Sequence, residues 1–245
     1  MSIIELKNIT YSYDEKEVLK GFSLDIKTGE TTCLLGSSGC GKTTILRLIA
    51  GLETPQEGSV IIDNQKVSAA NKILIPANKR AIGFVFQDLA LWPHFTVYKN
   101  VAFGLSGEEG AVVKKRTHEI LDFFDLHAHA GKYPHQLSGG QQQLLAIARS
   151  LVLKPKILLM DEPLANLDVK LKSKMLSYIN DIKKQFNITI VYVTHDHREA
   201  FLVSDNIIVL NKGKIEDIGS VEDIKKSENE YVKYFIEYLD LNKNL

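Results

Sequence analysis

Residues 36–43 read Gly36-Ser37-Ser38-Gly39-Cys40-Gly41-Lys42-Thr43, which fits the pattern G-x-x-x-x-G-K-[ST]. Glycines at these spacings let successive backbone N–H groups turn inward and form a cradle for phosphate oxygens. An apolar run at 31–35 precedes the loop and a helical pattern at 41–50 follows it. The start of that helix adds its partial positive charge to the cradle. Lys42 is placed to reach the β- and γ-phosphates of a nucleotide as a point charge, and the Thr43 hydroxyl to bind Mg²⁺. Cys40 lies in the same loop beside Lys42, in a field that favours the thiolate, so a reactive thiol is expected there.

Two further groups lie far along the chain. Residues 157–160 are apolar throughout and end in Asp161-Glu162. A buried parallel strand delivers its last residues to the sheet edge where ligands of open α/β folds collect. There Asp161 would hold a metal through water, leaving Glu162 free to polarise an attacking water. Leu137-Ser138-Gly139-Gly140-Gln141 sets a hydroxyl and two bare N–H groups ahead of a helical run, a second site suited to an anion. Taken alone, without the other motifs, this segment reads rather as a simple serine N-cap with flexible glycines.

With that segment the chain resembles the ATP-binding subunits of ABC transporters, whose signature sequence is LSGGQ. The motifs fall in that family's order: the phosphate loop at 36–43, Gln87 after a strand, the signature at 137–141, the acidic strand end at 161–162, and His195 after another strand. The resemblance covers nearly the whole chain. It implies an ATPase using ATP and Mg²⁺, with Lys42, Glu162 and His195 catalytic. ATP contacts are implied for Tyr13, stacking on adenine, and for Gly36, Ser37, Ser38, Gly39, Cys40, Gly41, Lys42, Thr43 and Thr44. Metal contacts are implied for Thr43, Gln87 and Asp161. It further implies a head-to-tail homodimer, in which Ser138, Gly139, Gly140, Gln141 and Asp168 of one subunit face ATP held by the other. Two positions depart from the family pattern: Ala165 stands where a serine is usual, and Leu144 where a basic residue is common.

The stretch 84–94 is similar to the importer group that handles sugars, polyamines, ferric iron, sulfate and molybdate. Ferric iron or a polyamine is the cargo this implies, supplied by a periplasmic or extracellular binding protein. Leu89, Leu91 and Trp92 are costly exposed apolar groups unless something covers them. They are expected to form a docking groove for a helix of the transmembrane permease subunits, or else to pack into the helical insertion. The resemblance thus places the chain peripherally on the cytoplasmic face of the inner membrane. Since the chain stops at Leu245 without a β-rich regulatory domain, such control is expected to be absent or supplied elsewhere. The alternative is a soluble ABC-type ATPase not coupled to transport. A DNA-repair cassette would carry a long heptad insertion, and a translation cassette a second phosphate loop; neither pattern occurs in this sequence.

The elements that must position these residues read as an α/β protein with a mostly parallel sheet. Strands are expected at 3–9, 22–26, 31–35, 59–62, 82–86, 157–160, 188–193 and 207–210, the first of them in an N-terminal antiparallel part. Residues 88–155 read as a helical subdomain inserted into a catalytic core of 1–87 and 156–220, with a helical tail at 221–245. Residues 211–214 read as a hairpin turn. Of the 245 residues 44% are apolar and 24% charged, a globular composition. The 30 Lys+Arg balance 30 Asp+Glu, which argues against a dedicated nucleic-acid binder. No apolar run approaches the ~18 residues of a membrane span, and the N-terminus lacks a signal-peptide pattern. The two cysteines, Cys33 and Cys40, frame neither a disulfide scaffold nor a zinc site. A soluble protein of a reducing compartment is expected.

Overall fold

The computed structural model describes residues 1–165 and 167–241. Asn166 of the loop 163–168, and residues 242–245 of the expected tail, lie outside the described residues.

The chain opens with a hairpin of β1 (Ser2–Tyr13) and β2 (Lys16–Lys27), followed by β3 (Thr31–Gly36) and α1 (Lys42–Ala50). Next come β4 (Glu57–Ile62), β5 (Gln65–Ala69), β6 (Lys72–Ile73) and β7 (Ile82–Val85). A helical stretch holds α2 (Val97–Ala102), α3 (Gly110–Phe123) and α4 (Gly139–Leu151). The chain then alternates β8 (Ile157–Asp161), α5 (Val169–Phe186), β9 (Thr189–Thr194), α6 (His197–Val203) and β10 (Asn206–Asn211). It closes with β11 (Lys214–Gly219), α7 (Val221–Lys225) and α8 (Glu230–Leu241).

Two sheets result: a five-stranded antiparallel one in the order β2-β1-β4-β5-β6, and a six-stranded one in the order β11-β10-β3-β9-β8-β7. The second is parallel except for β11. Strands β3, β8 and β9 are buried at every position, as apolar runs covered on both faces must be. Alternate residues divide between two cores. Leu34, Leu159, Val191 and Ile208 face a cluster with α1 and the antiparallel sheet, whereas Leu35, Leu158, Tyr192 and Val209 face one with the other helices. The phosphate-loop helix α1 is therefore clamped between two sheets. Val97, Leu121 and Phe124 of the helical stretch share the second cluster with Leu158 and Met160 of the sheet.

The short strands β5 and β6 go beyond what periodicity indicates, because half-exposed segments of this length lack a face to pattern. The expected turn at 211–214 joins β10 to β11, with Lys212 at φ 45° and Gly213 at φ 74°, the left-handed pair that a tight hairpin needs.

Arg80 closes the far end of α1. Its buried guanidinium donates to the carbonyls of Leu48 (3.1 Å), Ile49 (2.8 Å), Val67 (3.2 Å) and Ile75 (2.9 Å), and to Ser68 Oγ (2.7 Å). Burial pulls its pKa down to about 10. Gly51 is required beside it, since a Cβ there would stand 2.4 Å from Arg80 Cζ. Arg80→Met strands these carbonyls and is expected to destabilise the fold by roughly 2–4 kcal/mol. The measurement is the urea midpoint at unchanged slope; a midpoint equal to that of the parent protein would count against the cap.

Candidate functional site

Parallel strands in adjacent register bring their ends to one level. Leu35 of β3 pairs with Thr194 of β9, Val193 of β9 with Asp161 of β8, and Met160 of β8 with Val85 of β7. Gly36, His195, Glu162 and Gln87 follow these positions, so four distant segments reach the same C-terminal sheet edge. A cavity of about 660 Å³ lies at the opposite edge beside Pro155 and Ile188, which precede β8 and β9. Ligands of open α/β sheets bind at the carboxyl edge, and a cleft of about 360 Å³ opens there.

That cleft is lined by Tyr13, Lys16 and Val18 from the first hairpin, by Ser38, Gly39 and 41–44 from the loop and α1, and by Gln87 and Glu162. Lys42 is buried and donates to the carbonyls of Gly36 (2.7 Å) and Ser37 (2.9 Å), which holds its ammonium inside the loop. Gly41 caps α1 at φ 107°, a left-handed value that favours glycine. Packing also requires glycine at Gly36, since a Cβ there would lie 2.3 Å from the Leu210 carbonyl oxygen. Gly36, Ser37 and Cys40 do not line the cleft. Tyr13 is 39% exposed at the cleft wall, its ring edge against Tyr11, whose hydroxyl donates to Glu53 (2.6 Å).

The acidic strand end adjoins the loop. Thr43 Oγ1 donates to Asp161 Oδ1 at 3.0 Å, and burial pushes the Asp161 carboxyl up, with neighbouring Glu162 adding to the shift and the Thr43 bond opposing it. A buried carboxylate of this kind, with a hydroxyl beside it, is suited to a hard cation. Among the described residues no cluster of three or more His, Cys, Asp or Glu is placed to hold a metal. Glu162 Oε2 lies 3.1 Å from His195 Nδ1, and Glu162 N–H donates to the Val193 carbonyl (3.0 Å). Glu162 sits at φ 43°, a conformation that non-glycine residues adopt only where their surroundings enforce it.

The signature segment lies elsewhere. Ser138 caps α4 in a reciprocal box: Gln141 N–H donates to Ser138 Oγ (3.4 Å) and Ser138 N–H to Gln141 Oε1 (3.0 Å). That orientation turns the Gln141 amide nitrogen toward His129 Nε2 (2.9 Å). Asp168 caps α5 through Leu171 N–H (2.9 Å). None of Ser138, Gly139, Gly140, Gln141 and Asp168 lines the phosphate-loop cleft. Gly139 instead borders a separate cavity of about 220 Å³ with Ala165, which shares Gln87 and Glu162 with the cleft. Leu144 is buried in the helical core, an apolar position that fits its type.

The loop 89–92 is pinned more firmly than its sequence indicates. Arg149 of α4 donates to the carbonyls of Leu89 (2.8 Å) and Ala90 (2.5 Å) and lies 4.9 Å from the Trp92 ring centre. Asn100 bonds both backbone groups of Trp92 (3.0 and 3.1 Å). Leu89, Leu91 and Trp92 are half-buried rather than exposed, and Trp92 packs on Phe103, which is 49% exposed. Neither Arg149 nor Asn100 stands in a motif, so only their place on the folded helices reveals them.

Residues 19–165 match the family described as ABC transporter. The chain is 48% identical over 225 residues to the Fe(3+) ions import ATP-binding protein FbpC of Escherichia coli O157:H7, covering 91% of this chain and 63% of that one. It is 46% identical over 237 residues to the spermidine/putrescine import ATP-binding protein PotA of Vibrio cholerae, covering 96% and 62%. The chain thus spans less than two thirds of the length of these relatives. The fold is similar to a bacterial ABC transporter cassette, MJ0796, solved as a dimer, with a TM-score of 0.79 at 37% identity over 89% of this chain and 98% of that one.

The reactive thiol expected at Cys40 is corrected by the structure. Cys40 and Cys33 are free and buried. Burial pushes the Cys40 thiol up despite the opposing charge of Lys42, and it pushes Cys33 up as well. Lys42 Nζ lies 3.9 Å from the Cys40 sulfur, yet Cys40 packs inward with Leu46 and Leu210, and the loss of water outweighs that charge. Both thiols are expected to resist a thiol reagent until the protein unfolds, with or without nucleotide. Since each folded pKa exceeds its unfolded value, the unfolded chain releases these protons first, and stability falls as pH rises past about 8.5. Reagent uptake and melting temperature across that range check both points; fast native labelling of Cys40 would restore the reactive reading.

Proposed function

The chain belongs to the ABC transporter family, and on that premise we propose that it is the ATP-hydrolysing subunit of an importer, distinct from the membrane-spanning subunits it drives. The observation that carries this reading is the Glu162–His195 contact of 3.1 Å at the rim of the cleft that holds Lys42. In the mechanism, ATP places its phosphates at the N-terminus of α1, where backbone N–H groups and Lys42 neutralise them. Glu162 orients a water toward the γ-phosphorus and takes its proton as ADP leaves. His195 holds the Glu162 carboxylate and adds a donor toward the γ-phosphate oxygens. Thr43 and Asp161, with Gln87 at the cleft wall, would hold Mg²⁺, which when bound supplies positive charge to the transferred phosphoryl group.

The signature lies outside the cleft, so a second copy of the chain completes the site. A two-fold pairing sets Ser138, Gly139, Gly140, Gln141 and Asp168 of each copy over the nucleotide of the other. The half-covered patch of Leu89, Leu91, Trp92 and Phe103, held in shape by Arg149, is the surface offered to the permease. This arrangement keeps the chain peripheral on the cytoplasmic face of the membrane. Ferric iron or a polyamine is the proposed cargo, in keeping with the two relatives above, and this chain does not touch it. Transport coupling is favoured over a free-standing soluble ATPase by that patch.

Glu162→Gln is expected to keep ATP binding and to lower turnover by ~10²–10³-fold, which traps a dimer visible by gel filtration with MgATP. Normal turnover by this variant would remove Glu162 from the role of base. Ser138→Arg puts bulk and charge into the closing surface, so it should stop hydrolysis while a monomer still binds ATP. Mixed with Lys42→Ala, itself nearly inactive, it should recover part of the ATPase rate, because one composite site keeps an intact loop and an intact signature. Full activity of pure Ser138→Arg would exclude the two-chain site.

A further inference from the structure

Glu199, on α6, is buried, and its carboxylate accepts three donors from two elements. Lys172 Nζ of α5 reaches Oε1 at 2.7 Å, while Tyr192 OH and Thr194 Oγ1 of β9 reach Oε2 at 2.8 and 2.9 Å. An ionised carboxylate only accepts, so both hydroxyl protons are committed to it. Thr194 Oγ1 is then left to accept, and it does so from Asp196 N–H at 3.0 Å. The residues on either side of His195 are thereby tied to one buried charge. His195 itself has half its side chain in solvent and touches Glu162 at 3.1 Å. Lys172 stands one turn into α5, the helix capped by Asp168, and also lies 3.9 Å from Asp196.

We propose that Glu199 is a positioning residue for hydrolysis: it holds 194–196, and so His195, in register with Glu162, and ties that register through Lys172 to the helix headed by Asp168. The assignment rests on the hydrolytic reading of the Glu162–His195 pair. A buried ion pair serving stability alone makes a different prediction, because its loss lowers melting temperature without selecting the chemical step.

The test uses the full chain, assayed well below each variant's melting temperature. Glu199→Gln should lower kcat by ~10²-fold, as misplacement of about an ångström does, with KM for ATP within about twofold of the parent. Thr194→Val leaves the Lys172–Glu199 pair intact and should lower kcat in the same way, and Thr194→Ser should restore it; this pair carries the test if Glu199→Gln fails to fold. The ring nitrogens of ¹⁵N-labelled His195 should shift in Glu199→Gln and Thr194→Val toward their position in Glu162→Ala. An unmoved His195 signal, or a normal kcat in Thr194→Val, overturns the proposal. Absence of hydrolysis by the parent protein instead overturns the ATPase reading, and the His195 signal still decides whether Glu199 holds that segment.

Discussion

Everything at the site depends on four parallel strands, β3, β9, β8 and β7, lying side by side with their carboxyl ends level. Burial on both faces makes β3, β8 and β9 continuous apolar runs, and the backbone ladder fixes the relative height of all four to a residue. Because hydrogen-bonded neighbours cannot slip without exposing one core face, Gly36, His195, Glu162 and Gln87 cannot drift apart along the strand direction. Chemistry contributed by segments more than a hundred residues apart is thus aligned by the sheet before any side chain contributes.

The charges that the sheet gathers are then held by burial and hydrogen bonding. Lys42, Asp161 and Glu199 are each buried, and each is met by a specific partner: loop carbonyls, a threonine hydroxyl, and the Lys172–Tyr192–Thr194 set. Arg80 plays the same part structurally at the opposite end of α1, where four carbonyls and a hydroxyl surround a guanidinium. Removing water strengthens such contacts and raises the cost of leaving any of them unmade. The helix that presents the phosphate loop is therefore fixed at both ends by buried cations, Lys42 inside the loop and Arg80 behind the last turn.

The helical stretch has a different relation to this edge. It shares a core with the sheet through Leu158 and Met160, yet its signature segment does not line the phosphate-loop cleft. Arg149 and Asn100 spend their polar groups on the loop 89–92, which gives a half-apolar surface a fixed shape. One fold so carries the cleft, the signature segment and the half-apolar loop 89–92, which the proposed function assigns to nucleotide, a second copy and a membrane partner.

The sequence by itself determined the buried strands, the phosphate loop, the acidic strand end and the capping serine, because each is a local pattern whose physics is contained in a few consecutive residues. Glycine spacing specifies a loop, an unbroken apolar run specifies a buried strand, and Ser138 with Gln141 specifies a helix start. Tertiary structure alone decided whether those groups meet. It placed Glu162 against His195 and Thr43 against Asp161, and it kept the signature out of the cleft. It also reversed the expectation for Cys40, whose position beside Lys42 suggests a thiolate until packing removes water from the sulfur. Arg80, Arg149, Asn100 and Glu199 were illegible for the same reason. A lone charged or amide residue on a helix or loop carries no pattern, and its meaning comes from carbonyls and hydroxyls that only the folded chain brings within 3 Å or so of it.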